Sequence, residues 1–191
     1  MERKLLNLIK NGKKNLEVFK ISKSEFKNLD RKIDKLVKKL QIELKKKKLF
    51  LAAMESCTSG GLINAITNIP GASEVIKGGL IAYSDQEKIV HGVPKKLIEK
   101  CTVYSPEVAT AMAHQIIRKI KGSQIGIGIT GILSRPDPKY TSKKVGQANI
   151  AVIFKEKTLI KKIYFPPRKE RKKAKAIIIL KTLETIKEIV G

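Results

Sequence analysis

The chain has no tryptophan, and four tyrosines and five phenylalanines bring its aromatic content to only 5%. Proteins that hold single-stranded nucleic acid stack bases on aromatic rings, so the scarcity argues against that class. Cysteine is as sparse. Cys57 and Cys101 form no CxxC pair and have no histidine nearby in sequence, which fits a reducing cytoplasm and argues against a zinc site. The two histidines, His91 and His114, lie far apart and offer little to build a metal centre from. No apolar run approaches the roughly 18 residues of a membrane span. The charged start Met1-Glu2-Arg3-Lys4 is not followed by the apolar segment of a signal peptide. A cytoplasmic protein without membrane contact is the expectation.

Negative charge is the other shortage: 17 acidic residues face 41 basic ones, for a net charge of +24. The excess sits at the ends. Residues 1–48 carry 17 basic and 6 acidic side chains, and residues 155–191 carry 12 and 4. Lysine outnumbers arginine 35 to 6, whereas readers of base edges lean on arginine. A lysine-rich solvated surface accounts for the pattern. Binding of nucleic acid or another anionic partner through the basic ends stands as a second reading.

What is present is a good core: 42% of 191 residues are hydrophobic, which suits one domain plus an appendage. The stretch from Leu49 to Gly61 organises it. Leu49 to Met54 reads as a buried strand, and Leu62, Ile63, Ala65, Ile66 and Ile69 suit a helix starting near Cys57. Ser56, Cys57 and Thr58 then fall between strand and helix. A hydroxyl there can cap the helix, or it can attack a carbonyl while free N–H groups hold the oxyanion.

Residues 1–27 read as a basic extension, with a short helix near Leu5–Ile9 and one strand near Leu16–Ile21. A long helix is expected from Ser24 to about Lys47, carried by Leu29, Ile33, Leu36, Val37, Leu40 and Leu44. A second strand runs from Val75 to Tyr83. Ser84-Asp85 caps a short helix that places Lys88 one turn inside, Pro94–Cys101 is another, and Ser105-Pro106-Glu107 opens a third. Ile125 to Gly131 reads as a third buried strand, 132–144 as a loop, Val145–Phe154 and Thr158–Phe165 as a strand pair, and Arg168–Val190 as the closing helix. Strands interleaved with helices predict a layered α/β domain without internal repeats.

Four segments can build one site: Ser56 as nucleophile, Tyr83 and Lys88 at a strand-to-helix corner, Thr130-Gly131 at a strand end, and Arg168 at a helix start. A neutral Lys88 would take the serine proton. Spacing alone leaves each open between this role and an ordinary one: a cap, a surface lysine, a half-buried aromatic, a surface arginine.

The motifs Glu55-Ser56-Cys57-Thr58-Ser59-Gly60-Gly61, Pro70-Gly71-Ala72-Ser73 and Gly78-Gly79-Leu80-Ile81-Ala82-Tyr83-Ser84-x-x-x-Lys88 resemble, in this order, the CinA C-terminal domain family of nicotinamide-nucleotide amidases. Gly92-Val93-Pro94, Ser105-x-Glu107-Val108-Ala109, Gly128-Ile129-Thr130-Gly131 and Lys144-Val145-Gly146 continue the likeness over roughly 28–190. The resemblance implies an α/β/α amidohydrolase domain that converts nicotinamide mononucleotide to nicotinate mononucleotide and ammonia, without metal or cofactor. It implies Ser56 as nucleophile, Lys88 as its base and Tyr83 as third member, with Cys57, Thr58, Gly60, Thr130, Gly131 and Arg168 on the substrate. It also implies a homodimer and a stand-alone domain, since the other domain of full-length members finds no counterpart here.

Three features depart from the family pattern. Where members usually carry a proline and a glycine-rich loop, residues 132–142 are longer and free of glycine; Arg135, Lys139 and Lys143 are the expected phosphate contacts in its place. Pro166-Pro167 replaces a Gly-Asp, and Ser59 replaces a glycine.

Overall fold

The structure, a computed structural model, describes residues 5–10, 16–20, 23–166 and 170–191. The strands are β1 (Leu16–Lys20), β2 (Leu51–Glu55), β3 (Ile76–Ile81), β4 (Ile125–Ile132), β5 (Gln147–Phe154) and β6 (Lys157–Tyr164), forming one sheet in the order β1-β6-β5-β4-β2-β3. β2 lies between parallel neighbours, β3 and β4, and every one of its residues is buried. A strand covered on both faces has no solvent side, which explains its unbroken run of small and apolar residues. The β2–β4–β5–β6 contacts change to antiparallel at β5, and β1 returns parallel to β6.

Helices cover both faces. On one side, α2 (Leu29–Lys46), α3 (Gly61–Thr67) and α7 (Arg171–Val190) pack through Ile33, Val37, Leu40, Leu44, Leu62 and Ile178. On the other, α6 (Pro106–Lys119) lies directly on the sheet, with α5 (Lys95–Cys101) and the helical residues 5–10, α1, around it. α4 (Asp85–Val90) follows β3 at the sheet's end. This is the expected three-layer α/β/α domain. Its tightest contact is that of α6 with β4. A Cβ on Gly128 would overlap the Ala109 carbonyl oxygen, and one on Gly126 the Ala113 carbonyl oxygen. The alternation Ile125-Gly126-Ile127-Gly128 therefore seats a helix backbone on one face and isoleucines in the core on the other.

Several boundaries differ from the sequence reading. α2 starts at Leu29 rather than Ser24, because Asn28 takes a left-handed conformation (φ 55°) after a short 3-10 turn over Lys23–Phe26. α3 starts at Gly61 rather than Cys57, behind a turn that ends in left-handed Gly60 (φ 83°). α7 starts at Arg171 rather than Arg168. The described part of residues 1–27 is not a detached appendage: β1 extends the sheet, and Leu5, Leu8 and Ile9 are buried in the core. No helix among the described residues is long and apolar enough to cross a membrane.

Candidate active site

Glu55, Ile81 and Ile129 stand level across three parallel strands, so the segments that follow them leave the sheet at one edge. Ser56 opens a tight turn after β2. Its N–H donates to the Ile129 carbonyl at 3.0 Å and its own carbonyl accepts from Ser59 N at 3.1 Å. The turn is anchored by Glu55, a fully buried carboxylate that accepts from the Leu62 and Ile63 N–H groups at 3.1 and 3.0 Å. The free amides and positive pole of α3 are thus committed to an internal carboxylate. The N–H groups expected at a helix start near Cys57 therefore lie in the turn before α3. The N–H groups of Cys57 and Thr58, within the turn itself, meet no oxygen acceptor among the described residues.

Lys88 comes from α4. Ser84 caps that helix, its Oγ accepting from Glu87 N at 3.0 Å, and Lys88 folds back one turn toward the sheet edge. Its amine lies 3.0 Å from Ser56 Oγ and 2.9, 3.2 and 3.3 Å from the carbonyls of Ala82, Tyr83 and Ser84. Only 2% of Lys88 is exposed. Burial pushes its pKa down from 10.5 to about 8, against the Asp85 carboxylate and the Cys57 thiol, which favour the charged form. A neutral amine has two hydrogens and one lone pair. Two carbonyls can take the hydrogens, which turns the lone pair toward the serine hydroxyl.

A cleft of about 860 Å³ opens over this pair. Ser56, Cys57, Tyr83, Lys88 and Gly131, all singled out from the sequence, line it. Tyr83 contributes differently from expectation. Its carbonyl touches Lys88 and, at 3.5 Å, Ser56 Oγ, whereas its phenol is 61% exposed on the residue as a whole and accepts from Arg171 Nη2 at 3.4 Å. The phenol makes no hydrogen bond to Ser56 or Lys88. Burial pushes the Cys57 thiol up to about 12, so it stays protonated beside the serine.

Other expected site residues stand behind the cleft. Thr58 is buried, with no partner for its hydroxyl among the described residues. Gly60 supplies the left-handed residue before α3 and faces Ile81. Thr130 is 1% exposed and spends its hydroxyl on the Val103 carbonyl at 2.7 Å. None of the three is among the residues that line the cleft. Arg168 lies outside the described residues. Arg171 fills the corresponding place, donating from Nη1 to Ser134 Oγ at 3.0 Å. Tyr104, Arg135 and Asp137 also line the cleft. For Arg171 the available signal was its place in the first turn of the last helix. Glu55 was visible as an acid just before a turn rich in glycine.

A family model described as the CinA C-terminal domain matches residues 33–190. A competence-damage inducible protein of Caldanaerobacter subterraneus is 34% identical over 150 residues, covering 78% of this chain and 35% of that protein. A CinA-like protein of a Synechococcus species is 40% identical over 120 residues, covering 62% and 28%. The chain therefore spans about a third or less of the length of these relatives. Among solved structures, the competence/damage inducible protein CihA of Agrobacterium tumefaciens superposes with a TM-score of 0.77 at 21% identity, over 84% of this chain and 96% of that one. A competence or damage-inducible protein of Enterobacter asburiae gives 0.76 at 26% identity, over 83% and 98%. With the fold alike and the matching segment running through β2, α4 and α7, the chain belongs to the CinA C-terminal domain family.

Proposed function

We propose that this domain hydrolyses the carboxamide of nicotinamide mononucleotide to nicotinate mononucleotide and ammonia. The observation that carries the reading is the Lys88 amine, buried and 3.0 Å from Ser56 Oγ, with its pKa lowered to about 8. Ser56 Oγ attacks the carboxamide carbon as Lys88 takes its proton. The Cys57 and Thr58 N–H groups receive the oxyanion. Lys88 returns the proton to the amide nitrogen, the C–N bond breaks, and ammonia leaves an acyl ester on Ser56. Water, deprotonated by the same amine, adds to the ester and releases the carboxylate and the serine hydroxyl. The Tyr83 carbonyl orients the amine, while its ring and Arg171 face the substrate. Arg135 and Arg171, both on the cleft wall, suit the phosphate. Lys139, by contrast, is tied to Asp85.

Ammonia release from nicotinamide mononucleotide by wild type and Ser56→Ala, side by side, tests the reading. The variant should fall by about a thousandfold or more. No release by wild type, or equal release by the variant, overturns it. A cytoplasmic homodimer belongs to the same proposal. Ile81, Tyr83 and Val90, large apolar groups exposed at the β3 end of the sheet, give a second copy a surface to cover, and sedimentation velocity would show a monomer if it does not.

A second reading rests on α2, whose outer face exposes Arg31, Lys32, Lys35, Lys38 and Lys39. A polyanion such as nucleic acid would bind there with an affinity that falls steeply with salt, and salt-independent binding would count against it.

A further inference from the structure

The segment between β4 and β5 has no glycine from Leu133 to Val145, yet its residues 133–138 form one wall of the cleft. Such a loop has less backbone freedom than a glycine-rich one, and its position depends on its side chains. Two clasps hold it. Asp85 Oδ2 accepts from the Tyr140 phenol at 2.9 Å and from the Lys139 amine at 2.5 Å. Asp137 Oδ2 accepts from the Tyr104 phenol at 2.5 Å, and Asp137 Oδ1 caps the loop's own 3-10 turn through Lys139 N at 2.9 Å. The Tyr104 and Tyr140 rings lock the two together edge to face, centroids 5.6 Å apart. Burial and the neighbouring Asp137 carboxylate hold the Tyr104 phenol protonated well above its ordinary range, so this clasp persists across ordinary pH. Asp85 is the first residue of α4, three positions before Lys88. One carboxylate thus joins the loop to the helix that carries the base. Between the clasps and β4 lies Arg135, whose guanidinium has no ion-pair or hydrogen-bond partner among the described residues.

We propose that Asp85 is a positioning residue that holds the 133–146 loop closed through Tyr140 and Lys139, and thereby fixes Arg135 where it selects substrates ending in a phosphate. The proposal rests on reading the cleft as a nucleotide amidase site. It accounts for a family member that lacks the glycine-rich loop: a fixed cation takes the place of backbone N–H groups. A loosened loop would leave Ser56 and Lys88 in place but spread Arg135 over many positions, so phosphate recognition would weaken before chemistry does.

Asp85→Ala and the milder Tyr140→Phe, each in the full chain, are compared with wild type by two measurements. Amide hydrogen exchange across residues 133–146 should quicken at least tenfold in Asp85→Ala and less in Tyr140→Phe. Calorimetry with nicotinate mononucleotide and its dephosphorylated nucleoside should show wild type preferring the phosphate form, and Asp85→Ala losing about tenfold of that preference. Steady-state kinetics at a pH well above the Lys88 pKa of about 8, where loss of the Asp85 charge no longer alters its protonation, should show KM rising by a similar factor while kcat changes less than threefold. Unchanged exchange, unchanged preference, or a loss confined to kcat overturns the proposal, the last because it would place Asp85's action on Lys88 alone. Wild type that binds the nucleotide with phosphate preference but releases no ammonia removes the amidase reading and leaves the clasp standing. Wild type that binds neither compound removes the selectivity role.

Discussion

Lys88 concentrates the chemistry in one nitrogen. At pH 7 an amine with a pKa near 8 is still mostly protonated, and only the neutral fraction can accept the Ser56 proton. Turnover should therefore rise with pH along a limb centred near 8. Lys88→Arg, which keeps the charge but cannot give it up, should lose about a thousandfold at every pH. A flat pH profile between 6 and 10 would contradict this. The same shift bears on stability. Between about 8 and 10.5 the unfolded chain holds a proton on this lysine that the folded chain lacks, so the contribution is fully present above 10.5 and lost as pH falls through about 8. Urea unfolding of wild type should gain up to about 3 kcal/mol on Lys88→Met across that window. That Ser56 and Lys88 belong together was legible through the family motif, since spacing alone left each open. The part played by Tyr83 was not: a residue type advertises its side chain, and here the backbone carbonyl makes the contact.

At the scale of elements, the site is a turn clamped between a strand and a helix. Glu55 satisfies the start of α3 from beneath and so sets where Ser56 leaves the sheet. Glu55→Gln keeps the shape but removes one acceptor and the charge. It should cost about 1–3 kcal/mol in denaturant unfolding and lower kcat through displacement of Ser56. An equally stable, equally active variant would show that the carboxylate only fills space. The seam between α6 and β4 is less forgiving. Gly128→Ala drives a methyl group into the Ala109 backbone, and urea unfolding should register a loss of about 3 kcal/mol or more. The strands and most helices were readable from apolar runs and periodicity, since burial on two faces or one writes itself into residue order. Helix starts were readable where a serine caps them, at Ser84 and Ser105, but not at α2 and α3. Asn28 and Gly60 break the helices by adopting left-handed conformations, and a polar or small residue in sequence does not disclose which way its backbone turns.

Across the whole molecule, residues 5–10 and 16–20 complete what the family domain leaves open. The family match begins at residue 33, yet β1 pairs along β6 and covers a row of backbone groups that would otherwise form a sheet edge. Lys161, 5% exposed on β6, ties this addition down by pairing with Glu17 of β1 and Glu188 of α7 at 2.6 and 2.8 Å. Removing residues 1–22 should bare the β6 edge and the pocket left by Leu5, Leu8 and Ile9. Light scattering should then detect association of the shortened chain, with a lower Tm; an unchanged Tm and a monodisperse chain would contradict it. The role was hidden because a five-residue strand such as Leu16–Lys20 reads the same in sequence whether or not it is paired. The central claim remains that Ser56 carries the acyl group. Rapid acid quench of wild type with nicotinamide mononucleotide near pH 8, followed by peptide mass spectrometry, tests it most directly: the account predicts a nicotinoyl nucleotide ester on Ser56, and an adduct on Cys57 instead would contradict it.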